Sequence, residues 1–217
     1  APDKVDTDFL RGFFALVGEH LGAFPQRRII LVVGGGSPAR EYQKAYREIA
    51  VEPDNEAQDW IGVAATRLNA ELVRAAAGRL CLDPVVIDPS AEISFTGRIL
   101  VAAGWKPGFS SDNDAVILAK RFGGKTVVNL SNIAKVYTAD PKKDPQAQPI
   151  DAISWTDFKK LVGSEWTPGK NVPFDPVATA QAAEIGLTVI CASGRDIANL
   201  SNILEGKSFT GTVIGPA

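Results

Sequence analysis

Three adjacent glycines, Gly34, Gly35 and Gly36, follow directly on the apolar run 29–33 and stand four positions ahead of Arg40. Glycine has no Cβ, so its backbone can take positive φ and bring N–H groups close to a bulky anion. An apolar strand, a glycine loop, a helix N-terminus and an early arginine together make a phosphate site, because unpaired N–H groups and the helix dipole both favour negative charge. The alternative is a strand-to-helix turn whose glycines serve only packing, since short glycine-rich patterns recur by chance. A second stretch repeats the arrangement with other groups: Pro107 and Gly108 make a turn, and Ser110, Ser111 and Asp112 supply hydroxyls and a cap before the next helix. A third, at 131–145, holds Tyr137, Asp140 and two lysines. By itself, Asp140 before Pro141 reads as an ordinary Asx turn.

Composition narrows the field. The 217 residues are 45% hydrophobic, enough for a full core, and one α/β domain over 1–217 is expected. Lysine plus arginine number 23 against 25 acidic residues, a formal charge of −2, and the cations are dispersed rather than striped, which argues against nucleic acid as a partner. No apolar run reaches the roughly 18 to 20 residues that span a bilayer. A cytoplasmic protein without membrane contact is therefore expected. Cys81 and Cys191 stand far apart among apolar neighbours and read as two buried thiols, with no metal-type spacing. The single histidine, His20, falls on a predicted helix and reads as structural. Methionine is absent altogether, and the chain opens abruptly at Ala1-Pro2-Asp3.

The elements that must position these groups alternate. Helical spacing predicts a helix over 7–21, capped by Asp6 or Thr7. The run 29–33 reads as a strand buried on both faces. Ser37 and Pro38 read as N-cap and first helical residue of the next helix. The stretch 51–60 reads as a polar connection, and 60–78 as a long helix with a glycine stop. Further strands are predicted at 80–87, 99–103, 126–130, 187–191 and 211–214, and helices at 114–122, 155–162, 177–185 and 197–204. Such alternation predicts a mainly parallel sheet covered on both faces, with ligands at the carboxyl ends of the strands, where the three polar loops fall.

Four ordered segments carry a resemblance: VVGGGSPAR at 32–40, DWIGVAATRLNA at 59–70, PGFSSDNDA at 107–115 and NLSNIAKVYTADPKKDP at 129–145. They resemble the amino-acid-kinase superfamily and, within it, the uridylate (UMP) kinases of bacteria and archaea. The resemblance implies an α/β fold, a three-layer α/β/α sandwich on a mainly parallel central sheet of about eight strands, and a homo-oligomer, hexamer or dimer. It implies phosphoryl transfer from ATP, with Mg²⁺, to UMP. Residue by residue, it places Gly35 on the acceptor nucleotide and Gly34 and Gly36 with Arg40 on the ATP side. Asp59 matches the acidic residue that holds the UMP, with Thr66 and Arg67 two helical turns on and able to face the same site. Gly104, Trp105, Lys106, Pro107, Gly108, Phe109, Ser110 and Ser111 correspond to the acceptor-binding loop. Asp112 corresponds to the carboxylate near the transferring phosphoryl, and Ser131, Tyr137 and Asp140 to ATP-binding positions.

Under that resemblance the chemistry is positioning and charge neutralisation, because the transition state spreads negative charge over the moving group. Glycine-loop N–H groups, Arg40 and Lys106 would cradle phosphates, Asp112 would orient a cation or ammonium group, and Mg²⁺ would bridge the ATP phosphates with no dedicated protein metal site. Three departures stand out. The family begins with a strand bearing a glycine-rich turn and usually a lysine, which the sequence as given is expected to lack. Ala134-Lys135 replaces a common Asp-Gly, and Lys106 replaces a small polar residue. The alternatives left open are a kinase for another small phosphate or carboxylate, and a nucleotide-binding storage or regulatory protein without turnover. An isopentenyl phosphate kinase is disfavoured because Ser37-Pro38 stands where those enzymes carry a histidine.

Overall fold

The computed structural model describes residues 5–163 and 172–216, so the opening Ala1-Pro2-Asp3 lies outside the described residues. Contacts divide the chain into two compact units, Ala1–Asp114 and Ala115–Ala217.

In the first unit, α1 (Thr7–Ala23) is capped by Asp6, whose carboxylate accepts from Phe9 N–H at 3.0 Å, and Thr7 is the first helical residue. β1 (Ile29–Val32) follows, then α2 (Gly36–Ile49) and α3 (Asn55–Ala77). α3 starts five residues earlier than Trp60. Asp54 caps it, accepting from Ala57 N–H at 2.7 Å, so the polar connection ends at Asp54 and Asp59 is helical rather than in a loop. Gly78, at φ 54°, stops the helix as expected. β2 (Ile99–Ala102) pairs parallel with β1, Ile29 opposite Ile99 through Val32 opposite Ala102.

The strand predicted at 80–87 is instead a 3-10 turn, Gly78–Leu80, and a single parallel bridge from Val86 to Ala102. Its polar groups are committed elsewhere: the buried Asp83 carboxylate accepts from Thr96 N–H, Thr96 Oγ1 and Gly97 N–H. Pro84 has no N–H to give to a ladder. β2, flanked by β1 and by Val86, is buried at all four positions. β1 is half-buried rather than buried on both faces, because among the described residues it pairs on one side only. Period-two alternation sends Ile29, Leu31 and Val33 to the same face as Ile99, Val101 and Ala103, where they pack with Val17 and Leu21 of α1 and Ala70 and Ala77 of α3. α4 (Ser111–Phe122) leads into the second unit.

The second unit contains β3 (Thr126–Ser131), β4 (Val136–Tyr137), β5 (Pro149–Ile150), β6 (Ala152–Ser154), α5 (Trp155–Val162), α6 (Pro176–Glu184), β7 (Thr188–Ser193), α7 (Ile197–Glu205) and β8 (Thr212–Gly215). The sheet runs β3-β7-β8-β6, with β3–β7 and β6–β8 parallel and β7–β8 antiparallel, while β4 and β5 form a separate antiparallel pair. β5 and β6 are too short to show alternation, and β6 exists because β8, far along the chain, supplies its partner. Ser154 caps α5 by accepting from Asp157 N–H at 3.1 Å. Trp155 and Phe158 of α5, Phe174, and Ala178 and Ala182 of α6 pack on Val189 and Ile214. The buried Trp155 indole donates to Leu187 O at 2.9 Å, so its polar edge costs little. Cys81 and Cys191 are both buried, and neither is in a disulfide. Among the described residues no helix is long and apolar enough to cross a membrane.

Candidate active site

β1 delivers the chain to the glycine loop, and α2 begins at Gly36 with Gly35 as N-cap, not at Ser37 and Pro38, which fall in the first turn. The reason is conformational: Gly36 takes φ 63°, which only glycine adopts cheaply, so the helix starts two residues sooner than a Ser37 cap would allow. No side-chain cap closes this N-terminus. Gly35 is required for a different reason. A Cβ there would lie 2.5 Å from Ala39 Cβ, with Gly62 O and Thr66 Cγ2 also close. The loop is held from α3 by Asn69, whose Nδ2 donates to Gly34 O at 2.9 Å and Gly35 O at 3.1 Å.

The same helix holds the segment 104–111. Thr66 Oγ1 donates to Val63 O at 2.6 Å and accepts from Gly104 N–H at 2.8 Å. A Cβ on Gly104 would meet that hydroxyl at 2.9 Å, which explains the glycine. Arg67 Nη2 donates to Trp105 O at 2.9 Å, and its guanidinium lies 5.9 Å from the Trp60 ring centroid. Two turns earlier on α3, Asp59 Oδ2 accepts from Gly108 N–H at 3.3 Å, and Gly108 turns the segment at φ 80°. Lys106 is exposed but lies over aromatic rings: its Nζ sits 3.9 Å from the Trp105 ring centroid and 5.0 Å from that of Phe109, and the two rings are 4.7 Å apart. At the far end Ser110 Oγ accepts from Asn113 N–H at 3.2 Å, and Ser111 Oγ stands beside Gly34, 3.9 Å from where a Cβ on that glycine would be. Asp112 lies in the first turn of α4.

The predicted acceptor residues Gly35, Asp59, Thr66, Arg67 and Gly104 to Ser111 are thus brought together in the first unit, where Gly34, Gly36 and Arg40 also lie. Ser131, Tyr137 and Asp140 belong to the second. Ser131 ends β3, and its Oγ accepts from Ile133 N–H at 3.3 Å. Tyr137, expected in a long loop, pairs opposite Pro149 in the two-residue strand β4. Asp140 Oδ1 accepts from Lys142 N–H at 3.0 Å, the Asx turn anticipated before Pro141.

The family model for the amino acid kinase family matches residues 7–193. The chain belongs to that family. It is 34% identical over 192 residues to a uridylate kinase of Methanospirillum hungatei, covering 87% of this chain and 80% of that one. It is 33% identical to a uridylate kinase of Thermoplasma volcanium, covering 98% and 91%. The crystal structure of uridylate kinase from Archaeoglobus fulgidus superimposes with a TM-score of 0.81 at 31% identity, covering 97% of this chain and 94% of that chain. The amino-acid-kinase fold class, an α/β sandwich on a mainly parallel sheet, is the one the two share.

Two residues of this candidate site, in a member of the amino acid kinase family, escaped the sequence reading. Asn69 is on α3 three positions after Thr66, a spacing that puts both on one face and offered a usable signal. Asp114 offered none. It is 1% exposed, and its Oδ2 accepts from Trp105 N–H at 3.2 Å. Its Oδ1 has no hydrogen-bond partner. Burial pushes the Asp114 carboxyl up from 3.8 to about 7, opposed by the Trp105 N–H. The folded state therefore retains a proton that the unfolded chain releases near pH 3.8, and stability falls as pH rises from there through about 7. The expected outcome is that the thermal midpoint of Asp114→Asn gains on the wild type across that window. A difference that stays constant with pH would exclude Asp114 as the source.

Among the described residues no three His, Cys, Asp or Glu side chains converge on a metal-sized site.

Proposed function

We infer that this protein transfers the γ-phosphoryl group of ATP to UMP, giving UDP and ADP, the phosphorylation step of pyrimidine nucleotide synthesis. The observation that carries the reading is the clasp of Asp59, Thr66 and Arg67 on the 104–111 segment beside the glycine loop, in a chain 34% identical to a uridylate kinase. In the reaction an oxygen of the UMP phosphate forms a bond to the γ-phosphorus as the bond to the bridging oxygen of ADP breaks, so the protein must align two polyanions and neutralise their charge.

The proposed roles follow the charges. Gly35, Asp59 and the 104–111 segment receive UMP, the Asp59 carboxylate accepting from ribose hydroxyls once Gly108 N–H yields it. Lys106, oriented by two aromatic faces, meets the acceptor phosphate. Gly34, Gly36 and Arg40 serve the ATP phosphates, Ser131, Tyr137 and Asp140 are ATP-binding positions, and Asp112 stands near the transferring group. Mg²⁺ brought in with ATP would be met by Asp112 and would draw charge off the phosphates. A homo-oligomer, hexamer or dimer, acting in the cytoplasm completes the proposal.

A coupled assay of ADP release across UMP, CMP, AMP and isopentenyl phosphate should show UMP far ahead in kcat/KM. Equal or better use of another acceptor would reassign the substrate, and no release with any acceptor would turn the reading toward a binding protein.

A further inference from the structure

We propose that Asp114 is a positioning residue for the acceptor: by holding Trp105 N–H it fixes the root of the 104–111 segment, and so the orientation in which that segment and Lys106 receive the phosphate of UMP. The proposal rests on the functional reading above. Its ground is the pattern of hydrogen bonds at the Gly104-Trp105 root. Thr66 holds Gly104 N–H and Arg67 holds Trp105 O, both from α3. Asp114 holds Trp105 N–H from α4, the helix whose first turn also carries Asp112. Asp114 is therefore the side chain that ties the root to the same rigid element as the carboxylate assigned to the transferring group. Tilting the Trp105 peptide would also move the ring on which the Lys106 ammonium rests, 3.9 Å away.

The residue is a poor choice for stability alone. A carboxyl that is 1% exposed, with one oxygen unpartnered, costs free energy that an apolar side chain of similar volume would not. What it supplies in return is a directed acceptor for one backbone N–H of the segment. Asparagine can keep that acceptor, whereas leucine removes it and leaves the N–H buried and unpaired.

The test compares wild type, Asp114→Asn, Asp114→Leu and Asp114→Ala in the whole chain, measuring kcat, KM for each substrate, the Kd of UMP by calorimetry without ATP, and the thermal midpoint. Asp114→Leu should raise KM and Kd for UMP by about tenfold, the loss of one well-directed hydrogen bond, while KM for ATP stays within about twofold. Asp114→Asn should bring the UMP values back to within about threefold of wild type. Asp114→Ala gives the same reading should leucine not fold. The proposal is overturned if UMP affinity is unchanged in the leucine and alanine variants, if KM rises equally for both substrates, if asparagine fails to rescue, or if neither the leucine nor the alanine variant folds. A wild-type chain that releases no ADP with UMP overturns the functional reading instead, and does so before any variant is compared.

Discussion

Arg40→Ala is expected to lower kcat/KM on the order of 10²-fold, roughly 3 kcal/mol of transition-state stabilisation, by analogy with the loss of one preorganised donor to a developing oxyanion. Folding should be indifferent to the change. Arg40 is exposed, one turn into α2, and substitutions at such positions usually move stability by less than about 0.5 kcal/mol. If anything the midpoint should rise slightly, since a cation near a helix N-terminus opposes the macrodipole, and the first turn of α2 contains no acidic residue to offset it. That adverse placement is the argument for function: the same N-terminal field and the same cation both favour an incoming phosphate. Arg40→Lys should recover part of the loss, because it restores charge without the planar fork. Parallel measurement of kcat/KM and thermal midpoint decides the matter; wild-type kinetics in Arg40→Ala would make Arg40 a solvated helix cation.

Gly35→Ala should be comparably damaging by another route. The backbone of Gly35 is at φ −75°, which alanine tolerates, so the obstacle is purely steric: the new methyl would stand 2.5 Å from Ala39 Cβ, far inside contact distance. Ala39 is buried, and Asn69 holds the loop's carbonyls from the other side, so the strain must be relieved by moving the loop itself. Overpacking of this kind costs about 1–3 kcal/mol of stability. A displacement of around 1 Å at the proposed phosphate-binding loop is expected to cost on the order of 10² in rate. Gly18→Ala is the control. It lies inside α1, where a Cβ would meet nothing within 4 Å, and it should stabilise the protein by about 0.5–1 kcal/mol without touching kinetics. The prediction fails if Gly35→Ala keeps wild-type kcat/KM, since the glycine would then serve only the turn.

Local pattern was enough to determine several things about this protein. The periodicity of 7–21, the helix at 155–162 and the Gly78 stop rest on residues a few positions apart, and each appears where the sequence places it. The glycine loop between an apolar run and a helix, and the order of the four motif segments, were legible for the same reason, and they identify the family. Tertiary structure decided what depends on partners distant in the chain. β6 forms because β8 pairs with it, and 80–87 fails as a strand because Asp83 spends its carboxylate on Thr96 and Gly97. Gly35 and Gly104 are glycines because of Ala39 and Thr66, and Asn69 and Asp114 enter the site only once α3 and α4 bring their side chains to backbone atoms of other segments. Sequence spacing shows which residues share a helix face, but not which backbone N–H or carbonyl that face will meet, because the meeting is fixed by packing between elements rather than by any repeat within one.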